Sequence, residues 1–193
     1  MSNEKPKNTA KQDLMEQILL HLADSIDFGC SYNFKKGIGI SGELLRSFVN
    51  IEEKNFRNSI NNLRKQKFIE KKENYDKSIV ISLTEKGKLR ALNLRFHRLS
   101  NKKEIWDGKW RMVAFDIPEE CKKGRNALRY RLKSGGFYEL QESLFLYPFD
   151  CKKEIEDFIK LFKLEKYVHF GLLDFMDNQE KLKVFYKLSG NFR

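Results

Sequence analysis

Apolar side chains recur along the first half of the chain with periods that change from segment to segment. Leu14, Ile18, Leu19, Leu22 and Ile26 share one face of a helix, and Thr9 with Gln12 three residues later reads as the capping box that begins it. Residues 27–40 contain three glycines and no helical period, so they read as a loop with room for a short strand. Ser41 can cap a short second helix carrying Leu44, Leu45 and Phe48. A third helix is predicted from Glu52 to Gln66, with Phe56, Ile60 and Leu63 as its buried stripe. FIEKK (68–72) and SIVISL (78–83) then read as two strands joined by the polar turn ENYDK. Thr84 caps a closing helix that carries Leu89, Leu92 and Phe96 on one face and reaches about Leu99.

Residues 100–109 are polar and read as a linker, with Trp106 near its end positioned to pack. WRMVAFDIP (110–118) alternates, with Met112, Ala114 and Asp116 on one side and Arg111, Val113 and Phe115 on the other, until Pro118 stops the strand. Leu128 and Leu132 mark a helix between Cys121 and the terminators Gly135 and Gly136, with a strongly basic outer face. FYELQ and SLFLYP form two strands around a tight turn at Glu142, residues 151–164 form a helix on Ile155, Phe158, Ile159 and Phe162, and YVHFGLLDF is a fourth strand. The order β-α-β-β-α-β is the ferredoxin-like arrangement. In the tail, Asp177 with Glu180 suggests a capped helix, while KVFYKL suits an added strand equally well. The reading is an α+β chain: a winged helix-turn-helix over 1–99, a linker over 100–109 and a ferredoxin-like domain over 110–193.

Composition narrows the partners. With 40% hydrophobic and 34% charged residues and three prolines, the 193-residue chain is globular rather than disordered. Its net charge of +11 favours a polyanionic partner, and residues 51–100 hold 13 basic against 6 acidic side chains, so most of the excess sits in one quarter of the chain. Cys30, Cys121 and Cys151 lie far apart and never in a CxxC pair, and His21, His97 and His169 have no metal-ligand spacing, which points away from zinc and disulfides. No apolar run reaches membrane-spanning length and the polar start is no signal peptide, so a cytoplasmic protein is expected.

The outer face of the third helix presents Lys54, Asn58, Asn61, Asn62 and Lys65, with Arg57 and Arg64 on a flank and no acidic residue among them. Asn can pair bidentately with adenine in the major groove, and Lys and Arg reach guanine edges or phosphates. A solvated surface helix would normally mix both signs. The expectation is that Lys54, Asn58, Asn61 and Asn62 read base edges, while Arg57, Arg64, Lys65 and the wing residues Lys72 and Lys77 hold phosphates.

Two resemblances extend this reading. Phe56-Arg57, Ile60, Leu63, Phe68-Ile69 and Leu83-Thr84-Glu85-Lys86-Gly87 resemble the recognition helix, wing and LTxxG segment of bacterial winged-helix regulators, with Lys67 where a glycine usually ends the helix. Residues 106–188, through the FDIP strand end, the basic helix with Arg125 and Arg129, Gly136-Phe137 and LQESLF, are similar to the central domain of the phenylacetate-degradation repressor (PaaX) family and to the small CRISPR-associated adaptation endonuclease. With a winged helix in front, the repressor is the better whole-chain match. The resemblance implies a sequence-specific regulator of transcription of the repressor type, a homodimer through the second domain that reads an inverted repeat in double-stranded DNA. PaaX-type repressors usually continue into a further domain, whereas this sequence stops at Arg193, so acyl-coenzyme A sensing is not expected and the effector stays unassigned.

The endonuclease resemblance implies a different activity. It places a strand-end carboxylate at Asp116, which could meet its mate across a dimer and hold Mg²⁺ for metal-dependent cleavage of nucleic acid, with Glu119 and Glu120 nearby. The simpler reading is that Asp116 caps the basic helix beginning near Glu119 or pairs with Arg125, and no cofactor is required. No serine triad, phosphate-binding glycine loop or HExxH motif supports another enzyme class. A DNA-bridging adaptor whose second half binds another protein is the third alternative.

Overall fold

The computed structural model describes residues 5–24, 32–34, 52–73, 75, 79–102 and 104–188. The chain divides into two compact units, Met1–Leu94 and Arg95–Arg193, a boundary inside the helix that the sequence reading assigns whole to the first domain. The predicted helix at Ser41, Leu44, Leu45 and Phe48 lies outside the described residues. No helix of the described residues is long and apolar enough to cross a membrane.

In the first unit, helix α1 (Lys5–Asp24) and helix α2 (Glu53–Lys65) pack over a three-stranded sheet of β1 (Tyr32–Phe34), β2 (Ile69–Glu73) and β3 (Ile79–Leu83), ordered β1-β3-β2 and antiparallel throughout. The predicted stripes meet in one core: Leu14, Ile18, Leu19 and Leu22 of α1 against Phe56, Ile60 and Leu63 of α2, closed by Ile69 and Ile81. Helix α1 begins at Lys5, so Thr9 lies inside it and does not cap it. Pro6 stands in the first turn, where its missing N–H has no intrahelical acceptor in any case, so the helix runs back past the capping signal. In helix α3 (Glu85–Ser100), Leu92 and Phe96 are buried as predicted, but Leu89 is 37% exposed and Ala91 and Leu99 are buried instead.

The second unit is an antiparallel sheet ordered β5-β6-β4-β7, from β4 (Trp110–Phe115), β5 (Tyr138–Gln141), β6 (Leu144–Tyr147) and β7 (Val168–Leu173). Helices α4 (Lys122–Ser134) and α5 (Lys152–Phe162) connect the strands in the ferredoxin-like order. Strand alternation gives each sheet face its own residues. Val113, Phe115, Phe145 and Tyr147 lie on one face, and Leu128, Leu132, Ile155 and Phe158 are buried with them. Trp110, Met112, Leu144 and Leu146 lie on the other, which is covered by Trp106 and by a tail helix α6 (Gln179–Tyr186) through Leu182 and Tyr186. The tail is therefore a helix, and its anchor is the Tyr186 hydroxyl, bonded to the carbonyls of Gly136 (2.9 Å) and Leu146 (2.8 Å) and accepting from the Tyr138 N–H (2.8 Å). Asp157, on the amphipathic helix α5, is buried and forms a hydrogen-bonded ion pair with Arg95 of α3.

Candidate nucleic-acid interface

Helix α2 owes its orientation to its two ends and its inner face. Phe56, Ser59, Ile60 and Leu63 are buried, so the opposite side faces water. The helix ends in a Schellman turn: Phe68 N–H reaches back to the Leu63 carbonyl and Lys67 N–H to that of Arg64, both at 2.9 Å. That turn needs a left-handed residue, and Lys67 adopts φ 59° where glycine would be unstrained. The missing glycine thus leaves the C-cap intact. The same turn ends α4 at Gly136, α5 at Lys163 and α6 at Lys187, each followed by an apolar residue, Phe137, Leu164 or Leu188.

The start of α3 locks the β2–β3 hairpin to the end of α2. Thr84 donates its hydroxyl to the Lys67 carbonyl (2.6 Å) and accepts from Gly87 N–H (3.1 Å), while its own N–H bonds the Phe68 carbonyl (3.0 Å). A Cβ on Gly87 would lie 1.9 Å from that Phe68 oxygen, so only glycine permits the approach. Lys86 adds its ammonium to the Gln66 carbonyl (3.0 Å) and lies 4.8 Å over the Phe68 ring, which places a cation at the negative end of the helix dipole. These contacts give the LTEKG segment a physical role: it fixes where the hairpin stands relative to α2.

Lys54, Asn58, Asn61 and Lys65 are exposed together on the outer face of α2, and none makes a side-chain hydrogen bond or ion pair among the described residues. Arg57 and Arg64 are exposed on one flank, but Arg57 is engaged by Glu53 at 2.5 Å, an acidic neighbour one turn earlier. Asn62 departs from the predicted face. It is half-buried and lines a cleft with Gln12, Glu16, Gln66 and Arg90, because four residues beyond Asn58 the helix has rotated it toward α1. In the same cleft Arg90 pairs with Glu16 at 2.6 Å. On the hairpin, Lys72 is exposed beside Glu70, whose carboxylate accepts from Ser82 at 3.1 Å. Lys77 lies outside the described residues.

Asp116 is exposed at the end of β4, where its N–H bonds the Tyr167 carbonyl at 2.9 Å. Neither simple role predicted for it holds. The short 3₁₀ turn Glu119–Cys121 before α4 has no side-chain cap, and Arg125 bonds the Glu119 carboxylate (2.6 Å) and the Ile117 carbonyl (3.0 Å) instead. The Lys122 ammonium and the shared Arg125 guanidinium hold the Glu119 carboxyl below its usual range. Asp116 shares a shallow cleft with Arg125, Arg129, Glu142 and Ser143, and Arg129 is itself engaged by Glu142 (3.1 Å). Among the described residues no group of three or more His, Cys, Asp or Glu gathers as a metal shell. Asp116 and Glu142 beside two guanidinium groups, with Glu142 already engaged by Arg129, do not form a divalent-cation shell within a single copy.

Cys121 and Cys151 are both free, and burial pushes the Cys151 thiol well above its ordinary range, which leaves it protonated and unreactive. Trp106 meets Trp110 with ring centroids 4.7 Å apart and donates its indole N–H to the Lys109 carbonyl (2.9 Å), so the polar stretch before β4 is tied to the sheet. The pairing of Arg95 with Asp157 had no sequence signal, since the partners are 62 residues apart.

No curated protein is significantly similar to the chain. Residues 103–184, most of the second unit, match the family model described as the PaaX protein central Cas2-like domain. The ferredoxin-like strand order of that unit agrees with the match. PaaX-family proteins are DNA-binding regulators of transcription. The second unit of the chain thus carries a domain of the PaaX central, Cas2-like type.

Proposed function

We propose that the protein is a sequence-specific, double-stranded DNA-binding repressor acting in the cytoplasm, with its first unit a winged helix-turn-helix whose recognition helix is α2 and whose wing is the β2–β3 hairpin. The observation that carries this reading is the cluster Lys54, Asn58, Asn61 and Lys65, exposed and unpaired on the face of α2 opposite its buried stripe. Such a face, free of carboxylates, can enter the major groove, where Asn and Lys distinguish base edges. Lys54, Asn58 and Asn61 read bases in this proposal. Lys65, Arg64 and Lys72 hold phosphates, as does Lys77, with Arg57 contributing once released from Glu53. Asn62 stands at the margin and supports α2 against α1 more than it reads sequence. The second unit pairs two copies, so a two-fold axis sets the spacing of an inverted repeat.

Selection of bound fragments from a genomic library tests the proposal, since it yields site and symmetry together. Asn58→Ala and Asn61→Ala should relax preference by about 1–3 kcal/mol at one base pair each, whereas Lys72→Ala should weaken all duplexes alike. Equal losses on selected and random duplex for all three variants defeat the base-reading assignment. Incubation with DNA or RNA and Mg²⁺ or Mn²⁺, beside Asp116→Ala, separates this regulator from a metal-dependent nuclease.

A further inference from the structure

Helix α4 is the most densely basic of the described elements: Lys122, Lys123, Arg125, Arg129, Arg131 and Lys133 fall within 13 residues that hold no acidic side chain. Folding of the second unit explains only part of this. Arg125 ties the strand end at Ile117, and Arg129 ties the Glu142 turn, so these two have structural work. Gly124, Leu128 and Leu132 are buried, which turns Lys122, Lys123, Asn126, Tyr130 and Lys133 outward on the opposite face. Tyr130 is 64% exposed, an unusual place for a tyrosine on a solvated helix, and the Arg131 guanidinium lies 5.0 Å over its ring. Lys123 and Arg131 make no ion pair among the described residues. Lys122 and Lys133 meet Glu119 and Glu139 only at the exposed rim, where ion pairs are weak and exchange readily with other anions.

We infer that the outer face of α4 is a second, sequence-independent contact for the phosphate backbone of duplex DNA, made by the second unit in addition to the base-reading helix of the first. Lys122 to Lys133 spans about 16 Å at the helical rise, long enough to meet more than one phosphate. Ammonium groups, an amide and a tyrosyl hydroxyl are the donors that backbone contacts use, and the face carries a single amide, Asn126, among its charges. The inference rests on the DNA-binding reading above, and adds that part of the affinity comes from residues that carry no sequence information.

The test uses the full chain and fluorescence anisotropy with a selected and a random duplex over a range of KCl. In Lys122→Gln/Lys123→Gln/Lys133→Gln the slope of log K against log[KCl] should become shallower by about two to three units on both duplexes, with the selected-to-random ratio unchanged. The triple Lys→Arg variant keeps the charge and should retain the slope, and circular dichroism on each variant verifies the fold. An unchanged slope in the Gln variant, with Asn58→Ala still relaxing specificity, overturns the α4 contact and leaves the first unit's role standing; such a face would then serve an acidic protein partner. A loss confined to the selected duplex also overturns it. A wild-type chain that binds no duplex overturns both readings.

Discussion

Gly87 offers the sharpest check on how the hairpin is held to α2. In Gly87→Ala the added methyl carbon would stand 1.9 Å from the Phe68 carbonyl oxygen, 2.9 Å from its carbon and 3.2 Å from Leu83 Cδ2. An ordinary C···O contact is about 3.3 Å or more, so the first turn of α3 and the residues before β2 must separate by more than 1 Å. That movement stretches the Thr84 N–H to Phe68 bond and the Thr84 hydroxyl bond to Lys67, now 3.0 and 2.6 Å. Weakening those two contributes about 1–2 kcal/mol and the overpacking another 1–3. Alanine's better helix propensity returns about 1 kcal/mol. The net expectation is a loss of about 1–4 kcal/mol, or a fall of roughly 5–25 °C in the melting of a unit of this size. Differential scanning calorimetry on the full chain measures it. The sign is decisive, because Gly→Ala at an unobstructed helical position stabilises; an unchanged or raised melting temperature would refute the backbone contact as the reason for this glycine. A hairpin shifted in this way should also bind DNA less well even well below its melting temperature.

Three further predictions concern the lysine C-caps and the buried charges. Lys67→Gly removes the strain at φ 59° and should stabilise the first unit by about 0.5–1 kcal/mol after the added flexibility of the unfolded chain, whereas Lys65→Gly, inside the helix, should cost about 1 kcal/mol; urea midpoints that move alike for both contradict the left-handed assignment. Arg95→Ala leaves the buried Asp157 carboxylate without its guanidinium and should cost about 3–5 kcal/mol, part of which Arg95→Ala/Asp157→Asn recovers; additive single effects in a double-mutant cycle would deny the coupling. Burial raises the Glu154 carboxyl above its ordinary value, against the pull of Arg95 and Lys102. A raised folded-state pKa means that stability falls as pH climbs through the window between the unfolded and folded values, so Glu154→Gln should melt above wild type at pH 7, with the gap closing toward pH 4; a pH-independent gap counts against this.

Periodicity alone determined much of this protein. The stripe Phe56, Ile60 and Leu63, the hairpin strands, and the β-α-β-β-α-β order of the second unit all lie where the pattern of apolar residues puts them, because burial of one face is a local property of spacing. The polar face of α2 was legible for the same reason, with Asn62 misplaced by a rotation that only packing against α1 defines. Chain geometry could not be read where the deciding contact is remote. KVFYKL suits helix or strand until Leu182 and Tyr186 meet the open sheet face. Arg125 chooses Glu119 over Asp116, and Asp157 enters a core because Arg95 waits there. Gly87 is demanded by a carbonyl 19 residues away, and three lysines take left-handed turns that sequence preference assigns to glycine, since the closing hydrogen bonds and the apolar residue that follows each turn outweigh about 1 kcal/mol of strain. Spacing decides which face a residue occupies; what that face meets, and therefore which polar groups are held and which are left for a partner, was decided only by the tertiary structure.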